Sequence, residues 1–245
     1  MYRIILMVVR LFYKVPYYLI RIWWLGTRKN FDLEKNYAFI KKVTKAANRA
    51  GRVTIESYGV ENIPKENGFI FFPNHQGMFD ALVFLESCPV PFSVVYKKEV
   101  SNVILLKQVF RALHAIAIDR EDIKQSLQVI NQMTEEVKQG RNFLIFPEGT
   151  RNKSEDPADL MEFHEGSLKI AEKSGCPVIP VAITGTDDVF ERHIPWIRKS
   201  HVIIEYGEPI YLKELPLDKK KFPGAYTREI ISEMIKKQQQ ERAGK

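Results

Sequence analysis

A histidine and an aspartate that could form a general-base pair stand five residues apart in the run NHQGMFD at residues 74–80. Positions five apart on an α-helix differ by about 140° in direction, so His75 and Asp80 could not converge if the whole run were helical. We therefore expect His75 on a turn and Asp80 in the first turn of the following helix. Gly77 would permit the turn, and Asn74 would hold it by a local hydrogen bond. The carboxylate then binds one imidazole nitrogen and leaves the other free to act as a base.

A second run, FPEGTR at residues 146–151, offers the groups of an anion site. Arg151 can contact a phosphate through two N–H groups, Gly149 lets backbone amides approach, and Thr150 adds a hydroxyl. Glu148 cannot bind an anion itself, so we expect it to hold either Arg151 or the hydroxyls of an acceptor. Together the two runs predict an enzyme that activates a hydroxyl on a phosphorylated substrate.

The sequence shows no evident protein nucleophile. It contains no Gly-x-Ser-x-Gly run, and neither of its two cysteines, Cys88 and Cys176, has an activating neighbour in sequence. The base would therefore act on the substrate's own hydroxyl or on water. Two cysteines are also too few for a disulfide framework and lack metal-ligand spacing, which is typical of a protein in a reducing compartment.

Short β-rich runs alternate with helical patterns from residue 52 onward, which favours an α/β fold with a mixed central sheet flanked by helices. The expected strands are Val53–Tyr58, Phe69–Phe72, Ser93–Tyr96, Ala115–Asp119, Asn142–Phe146, Val178–Ile183 and Val202–Tyr206, and the expected helices are about 78–87, 101–112, 121–139, 164–174 and 225–241. Both runs follow strands, so we expect them at the sheet edge where α/β proteins usually bind ligands.

The positive charge of the chain is concentrated near its N-terminus. The formal net charge is +7, but residues 1–60 carry +9 and the remaining 185 residues carry −2. Five cations fall within about 40° of one line on a helix and leave a wide apolar face; they are Arg3, Arg10, Lys14, Arg21 and Arg28. This pattern is typical of a helix in the membrane interface, with Trp23 and Trp24 at headgroup level, and disfavours a nucleic-acid partner.

We accordingly expect residues 1–50 to form amphipathic, membrane-associating helices and residues 51–245 to form the catalytic domain. Pro16 should kink or split the first helix. Its longest run without a charge is six residues, Ile4–Val9, which is too short for a transmembrane span, and no signal-peptide pattern is present. The alternative is a helix that is buried against the protein's own core.

The two runs, in this order and spacing, resemble the glycerolipid acyltransferase family, and most closely its bacterial 1-acyl-sn-glycerol-3-phosphate acyltransferases. Residues 74–80 match the family's His-x4-Asp catalytic block, and residues 146–151 match its acceptor-phosphate block. Arg120, at the end of AIAIDR, matches the second block, and Pro180, within VIPVAI, matches the fourth. Many members have Phe-Lys-x-Gly where this chain has His164 in place of the lysine, which bears on acceptor preference.

The resemblance implies that His75 deprotonates the free hydroxyl of lysophosphatidate, which then attacks an acyl thioester carried by coenzyme A or acyl carrier protein. Asp80 would orient the imidazole, while Arg151, Arg120 and Lys97 would hold the phosphate. Pro180 would shape the pocket wall. No cofactor or metal is expected, and the enzyme would act as a peripheral protein on the cytoplasmic face of the cell membrane.

Other interpretations remain open at this point. The acceptor could be another lysophospholipid or glycerol 3-phosphate. A metal hydrolase could use His75, Asp80 and Glu148 as ligands, although such sites normally offer more than one spaced histidine. A non-catalytic lipid-binding protein would need the N-terminal helix alone. A nucleotide cofactor is disfavoured because the chain has neither a P-loop nor a Gly-x-Gly-x-x-Gly run.

Overall fold

The computed structural model describes residues 9–28, 32–194 and 196–243, so Arg3 lies outside the described residues. Within them, seven strands form one sheet. They are β1 (Val53–Tyr58), β2 (Ile70–Pro73), β3 (Ser93–Lys97), β4 (Ile116–Ile118), β5 (Phe143–Leu144), β6 (Val178–Thr184) and β7 (Ser200–Tyr206). The helices are α1 (Val15–Thr27), α2 (Leu33–Gly51), α3 (Asp80–Ser87), α4 (Ile104–Ala112), α5 (Ile123–Lys138), α6 (Glu165–Ser174), α7 (Leu217–Lys220) and α8 (Pro223–Ala243).

The sheet is mixed, as predicted, with the strand order β1-β7-β6-β2-β5-β3-β4. Strands β6, β2, β5, β3 and β4 run parallel to one another, whereas β7 is antiparallel to β6 and β1 is parallel to β7. The carboxyl ends of five strands therefore meet at one edge. This edge carries both sequence runs, because one follows β2 and the other follows β5.

Strand β2 shows why this sheet is buried on both faces. Phe69 and Phe71 join a cluster with α3, whereas Ile70 and Phe72 join a second cluster with α5 and α6. Alternate side chains of a strand point to opposite faces, so an unbroken apolar run suits a strand that helices cover on both sides.

Each expected strand and helix is present, with ends that shift by a few residues. The expected strand Asn142–Phe146 shortens to β5, although the N–H of Ile145 still donates to the carbonyl of Phe71 at 3.0 Å. The expected strand Ala115–Asp119 shortens to β4, because the N–H of Asp119 turns to the side chain of Gln125 instead of a neighbouring strand. These residues leave the ladder to begin the loops of the site.

The N-terminal helical segment is split as predicted. Residues 9–11 are helical, residues 12–14 form a turn, and Pro16 lies in the first turn of α1, where its missing N–H costs nothing. Within the described part of the chain, no helix is long and apolar enough to cross a membrane.

Helix α1 has one apolar side that is buried and another that is exposed. It therefore has features of both interpretations of its sequence, a helix in the membrane interface and a helix buried against the protein's own core. Tyr18, Ile22 and Leu25 are buried, and Ile22 and Leu25 belong to the same hydrophobic cluster as α2 and α3. The other side leaves Ile20 and Trp23 exposed, at 70% and 53% of their surface. The buried side agrees with the alternative of a helix packed against the core, and the interfacial role of the exposed side stays a prediction. The division at residue 50 stays a prediction about function, since the core crosses it.

Candidate active site

His75 lies on the turn after β2, and Asp80 is the first residue of α3, as the helix geometry predicted. The Nδ1 atom of His75 is 2.7 Å from Oδ2 of Asp80. Asp80 is completely buried, whereas 21% of the His75 side chain is exposed. The imidazole also packs against the ring of Phe146, with centroids 4.2 Å apart. The imidazole of His75 is thus held by Asp80 and Phe146, and part of it remains exposed to solvent.

Asp80 accepts every hydrogen bond that it makes. Its Oδ2 receives the N–H groups of Gln76 at 2.7 Å and Gly77 at 3.0 Å, and its Oδ1 receives the hydroxyl of Thr186. Such a set of donors, at the N-terminus of a helix, stabilises an ionised carboxylate. We therefore assign the proton of the imidazole to Nδ1, which leaves the lone pair on Nε2. Within the described residues, Nε2 has no hydrogen-bond partner.

Glu148 fixes the backbone of the base. It is buried, and its two oxygens accept the N–H of His75 at 2.8 Å and the N–H of Met161 at 3.0 Å. Burial raises the pKa of Glu148, while the two backbone bonds oppose that shift. The carbonyl of His75 accepts the N–H of Asn152 at 2.7 Å, so the loop after β5 binds both backbone groups of the base. The expectation that Glu148 holds Arg151 is wrong.

Asn74 bridges two strands, so the prediction of a local hydrogen bond is wrong. Its side-chain amide donates to the carbonyl of Ile183 at 2.9 Å, and its side-chain oxygen accepts the N–H of Ile183 at 2.7 Å. The amide thereby replaces the backbone ladder where β2 turns away from β6. The turn that carries His75 is tied to the neighbouring strand by this pair.

Arg120 and the loop after β5 meet at Gly149. The guanidinium of Arg120 donates to the carbonyl of Gly149 at 2.6 Å. Gly149 has a left-handed φ of 72°, and a Cβ there would lie 2.1 Å from Nη1 of Arg120 and 2.6 Å from Nε2 of His164. Glycine is therefore required by both conformation and space. Burial and then the charge of Arg120 lower the pKa of His164, so the imidazole is favoured in its neutral form.

The other predicted binding residues occupy different surroundings. Arg151 pairs with Glu191 at 3.2 Å, and Thr150 is exposed beside it. Lys97 ends β3 at the same sheet edge and pairs with Glu99 at 2.7 Å. Pro180 is buried within β6, opposite Phe72 of β2, where its carbonyl accepts the N–H of Gly207 at 2.8 Å. The edge therefore collects His75, Arg151, Arg120 and Lys97, while Pro180 belongs to the sheet interior.

A family model described as Acyltransferase matches residues 54–184. The chain belongs to the acyltransferase family. The resemblance drawn from the two runs is thus confirmed at the family level, and the match ends at the carboxyl end of β6.

Relatives and a solved structure agree with this membership. The acyltransferase is 28% identical over 180 residues to the 1-acyl-sn-glycerol-3-phosphate acyltransferase of Borreliella burgdorferi, covering 74% of this chain and 68% of that protein. It is 28% identical over 168 residues to the protein of that name from Limnanthes alba, covering 68% of this chain and 58% of that one. The crystal structure of PlsC, the 1-acyl-sn-glycerophosphate acyltransferase of Thermotoga maritima, superimposes with a TM-score of 0.70 at 25% identity, covering 95% and 92% of the two chains.

Sequence reasoning missed two polar residues of this acyltransferase. Thr186 and Glu191 follow β6 and lie beyond the matched region, yet Thr186 reaches Asp80 and Glu191 reaches both Met78 and Arg151. The only signal in the sequence was their place just after a buried strand, at the carboxyl edge where ligands bind. Asp80 lies 106 residues before Thr186, and Met78 lies 113 residues before Glu191.

The rival metal site uses carboxylates that are already engaged. Both oxygens of Asp80 and both oxygens of Glu148 receive N–H or O–H donors of the protein. In the part of the chain that the structure describes, no group of three His, Cys, Asp or Glu side chains is arranged to hold a metal ion.

An apolar cavity of about 290 Å³ opens beside Arg120 and His164, between the sheet and helices α5 and α6. Its walls are mostly aliphatic and comprise Val95, Ile118, Val129, Ile130, Met133, Ile145 and Ile170. The lining combines these aliphatic side chains with a few polar ones, including Arg120 and His164, and such a lining suits a hydrocarbon chain with a polar end.

Proposed function

We propose that this acyltransferase moves a fatty acyl chain from an acyl thioester to the free sn-2 hydroxyl of lysophosphatidate and so forms phosphatidate. The observation that carries the proposal is the bonded His75–Asp80 pair, whose free Nε2 shares a sheet edge with three cations. The names of the relatives support the choice of acceptor, since they describe 1-acyl-sn-glycerol-3-phosphate acyltransferases.

In the proposed reaction, Nε2 of His75 takes the proton of the acceptor hydroxyl while the oxygen attacks the carbonyl carbon of the thioester. The resulting imidazolium is stabilised by the Asp80 carboxylate, to which Nδ1 is bonded. The tetrahedral intermediate expels the thiolate. The thiolate then takes the proton from the His75 imidazolium, which restores the neutral base. A thiol with a pKa of about 8.5 leaves readily at neutral pH, so little acid assistance is required.

The cations of the sheet edge are assigned to the acceptor phosphate. Arg151 offers a planar pair of donors, Arg120 is fixed by Gly149, and Lys97 adds a point charge from the end of β3. Glu148 serves as a positioning residue for the backbone of His75. The aliphatic cavity beside Arg120 is assigned to a hydrocarbon chain of one of the two lipid substrates.

The substrates place the reaction at a lipid surface. Acceptor and product are both lipids, and the exposed aromatic side of α1 would hold the protein in the membrane interface. The donor would be a thioester of coenzyme A or of acyl carrier protein, delivered from the cytoplasmic side. No cofactor is assigned.

The test is a vesicle assay with a panel of lysolipids and both donor types, with products identified by mass spectrometry. Phosphatidate should be the main product, and His75→Ala should lower kcat by roughly 10²–10⁴-fold because a general base contributes about that much. His201→Ala, which removes an exposed histidine of β7 that pairs with Glu56 of β1, is the matched control.

Three outcomes are informative against the proposal. Retained activity of His75→Ala would remove His75 as the base. A product from another lysophospholipid or from glycerol 3-phosphate would replace the acceptor while keeping the chemistry. Loss of vesicle binding together with loss of activity in Asp80→Ala would indicate that the pair is structural.

A further inference from the structure

Glu191 connects the loops of the two sequence runs. It begins a short 3₁₀ turn, Glu191–His193, that follows β6. Its Oε1 accepts the backbone N–H of Met78 at 2.7 Å and a guanidinium N–H of Arg151 at 3.2 Å. One carboxylate oxygen thus binds the turn that carries the base and the cation assigned to the phosphate.

The fold makes room for this carboxylate at the turn. Gly77 does not have a left-handed φ, so conformational freedom does not explain it; a Cβ there would lie 2.5 Å from Oε2 of Glu191. We expected Gly77 to permit the turn, but its backbone angles do not require glycine, and its missing side chain instead leaves space for the Glu191 carboxylate. Only 16% of the Glu191 side chain is exposed, and Oε2 is buried without a hydrogen-bond partner among the described residues. Leaving a carboxylate oxygen unpaired is unfavourable.

We propose that Glu191 is a positioning residue that holds the guanidinium of Arg151 in register with the His75 turn. This inference rests on the proposed function, because it concerns how a phosphate bound by Arg151 presents its hydroxyl to His75. The shared acceptor atom, Oε1, fixes the guanidinium relative to the backbone of Met78, three residues from the base. The Arg151 guanidinium and His75 are thereby held at a fixed distance from each other. We expect this distance to match the one between the phosphate and the free hydroxyl of the acceptor.

The surroundings of Arg151 explain why it needs such a partner. Its side chain is 45% exposed, and it forms an ion pair with Glu191. A free arginine side chain has many rotamers, and ordering it on substrate binding opposes affinity. A partner that orders the guanidinium before the substrate binds therefore lowers the KM for a phosphorylated acceptor. It should affect kcat less, because the orientation of His75 in the chemical step depends mainly on Asp80.

The kinetic test compares Glu191→Gln with Asp188→Asn, which removes the same charge from the same loop. Asp188 is half-exposed and contacts Arg192 at 3.6 Å, so it is not part of the site. Glu191→Gln should raise the KM for lysophosphatidate by roughly 3- to 10-fold and lower kcat by a smaller factor. Asp188→Asn should leave both near the wild-type values.

A double-mutant cycle with Arg151→Gln separates positioning from a general structural effect. In the Arg151→Gln background, adding Glu191→Gln should change the acceptor KM by less than about twofold, since the residue through which it acts is gone. A KM that is unchanged or lower in the single variant would overturn the proposal, and so would an increase that persists in the Arg151→Gln background. If Glu191→Gln does not fold, as judged by thermal unfolding, Glu191→Asp takes its place in the same cycle.

A second measurement requires no turnover. Phenylglyoxal modifies accessible arginines, and peptide mass spectrometry gives the rate at Arg151. Release of the guanidinium in Glu191→Gln should raise that rate by roughly 3- to 10-fold over the wild type and over Asp188→Asn. An unchanged rate of modification at Arg151 would overturn the proposed role of Glu191, whichever lipid is the acceptor. A raised rate in a protein that does not acylate lysophosphatidate would contradict the proposed function alone.

Discussion

Asp80 is held by donors from two distant parts of the chain. The imidazole of His75 and two N–H groups of its turn bind Oδ2, and Thr186, from the segment after β6, binds Oδ1. Each donor removes a rotation that the buried carboxylate could otherwise make. The orientation of the imidazole therefore depends on a hydroxyl that no catalytic motif contains.

Removing that hydroxyl should impair catalysis as well as stability. Thr186→Val keeps the shape of the side chain and leaves Oδ1 of Asp80 without its donor, which should lower the free energy of unfolding by about 1–3 kcal/mol. We expect kcat to fall by roughly tenfold because the imidazole loses part of its alignment. Steady-state kinetics and urea unfolding measure the two effects, and Thr186→Ser should restore kcat.

Thr184→Val is the matched control for this prediction. Thr184 ends β6 and is also buried, but its hydroxyl donates to the side chain of Gln238 on α8. A similar loss of stability without a loss of kcat is expected. An equal fall of kcat in both valine variants would show that Thr186 acts only on the fold.

At the scale of elements, the sequence patterns predicted all seven strands and the longer helices of the sheet domain, but not the short helix α7. Asp80 was found with His75 because five residues separate them and helix geometry limits where they can meet. Asn74 and Ile183, in contrast, are 109 residues apart, and Asp80 and Thr186 are 106 apart. Such contacts depend on strand order, which places β6 beside β2, and no local pattern encodes that order.

Helix α1 packs closely enough on α4 to exclude a side chain. A Cβ on Gly26 would lie 2.9 Å from the Cα of Gln108 and 2.8 Å from its carbonyl oxygen. These are backbone atoms, which cannot move aside as the end of a flexible side chain can. Gly26→Ala should therefore lower the free energy of unfolding by about 1–3 kcal/mol despite the higher helix propensity of alanine. Urea unfolding gives the change, and trypsin should cleave after Arg21 and Arg28 faster than in the wild type.

Gly166→Ala provides the comparison within a helix. A Cβ on Gly166, in the first turn of α6, meets only the Cδ1 atom of Ile130 at 3.5 Å, an ordinary contact. This variant should be neutral or slightly more stable. If the two alanine variants were equally stable, α1 would not be packed as described.

On the scale of the whole molecule, the N-terminal helical segment is packed against the rest of the fold. Arg10 donates to the carbonyl of Ala50 at 2.6 Å, near the end of α2, and Arg21 and Arg28 stack on the ring of Trp24 at 4.1 and 3.9 Å. Three cations of the predicted basic line, Arg10, Arg21 and Arg28, therefore lie against aromatic or backbone groups. Cations beside aromatic rings are typical of residues at headgroup level.

The exposed side of α1 should govern binding to vesicles. Replacing Ile20 and Trp23 together by serine removes apolar surface that is mostly exposed in the described part of the chain. Binding to anionic vesicles should weaken by roughly tenfold or more, because each buried apolar side chain contributes about 1.5–3 kcal/mol. Vesicle sedimentation measures the binding, and thermal unfolding should show little change.

Serine at Leu217 and Phe222 is the control for surface hydrophobicity in general. These side chains are at least as exposed, at 87% and 59%, but lie near α7 instead of on α1. They should leave vesicle binding near its wild-type value. If vesicle binding weakened equally in both double variants, it would depend on exposed apolar surface in general and not on α1.

The packing of α1 on α4 also bears on how this enzyme should respond to lipid concentration. A protein whose lipid-contacting helix is joined to its catalytic body remains at one depth and meets its acceptor by lateral diffusion within the bilayer. Its rate should then follow the mole fraction of lysophosphatidate in the surface and fall when an inert lipid dilutes it, even at constant bulk concentration. Repeated turnovers on one vesicle, without return to the solvent, are the corresponding kinetic signature.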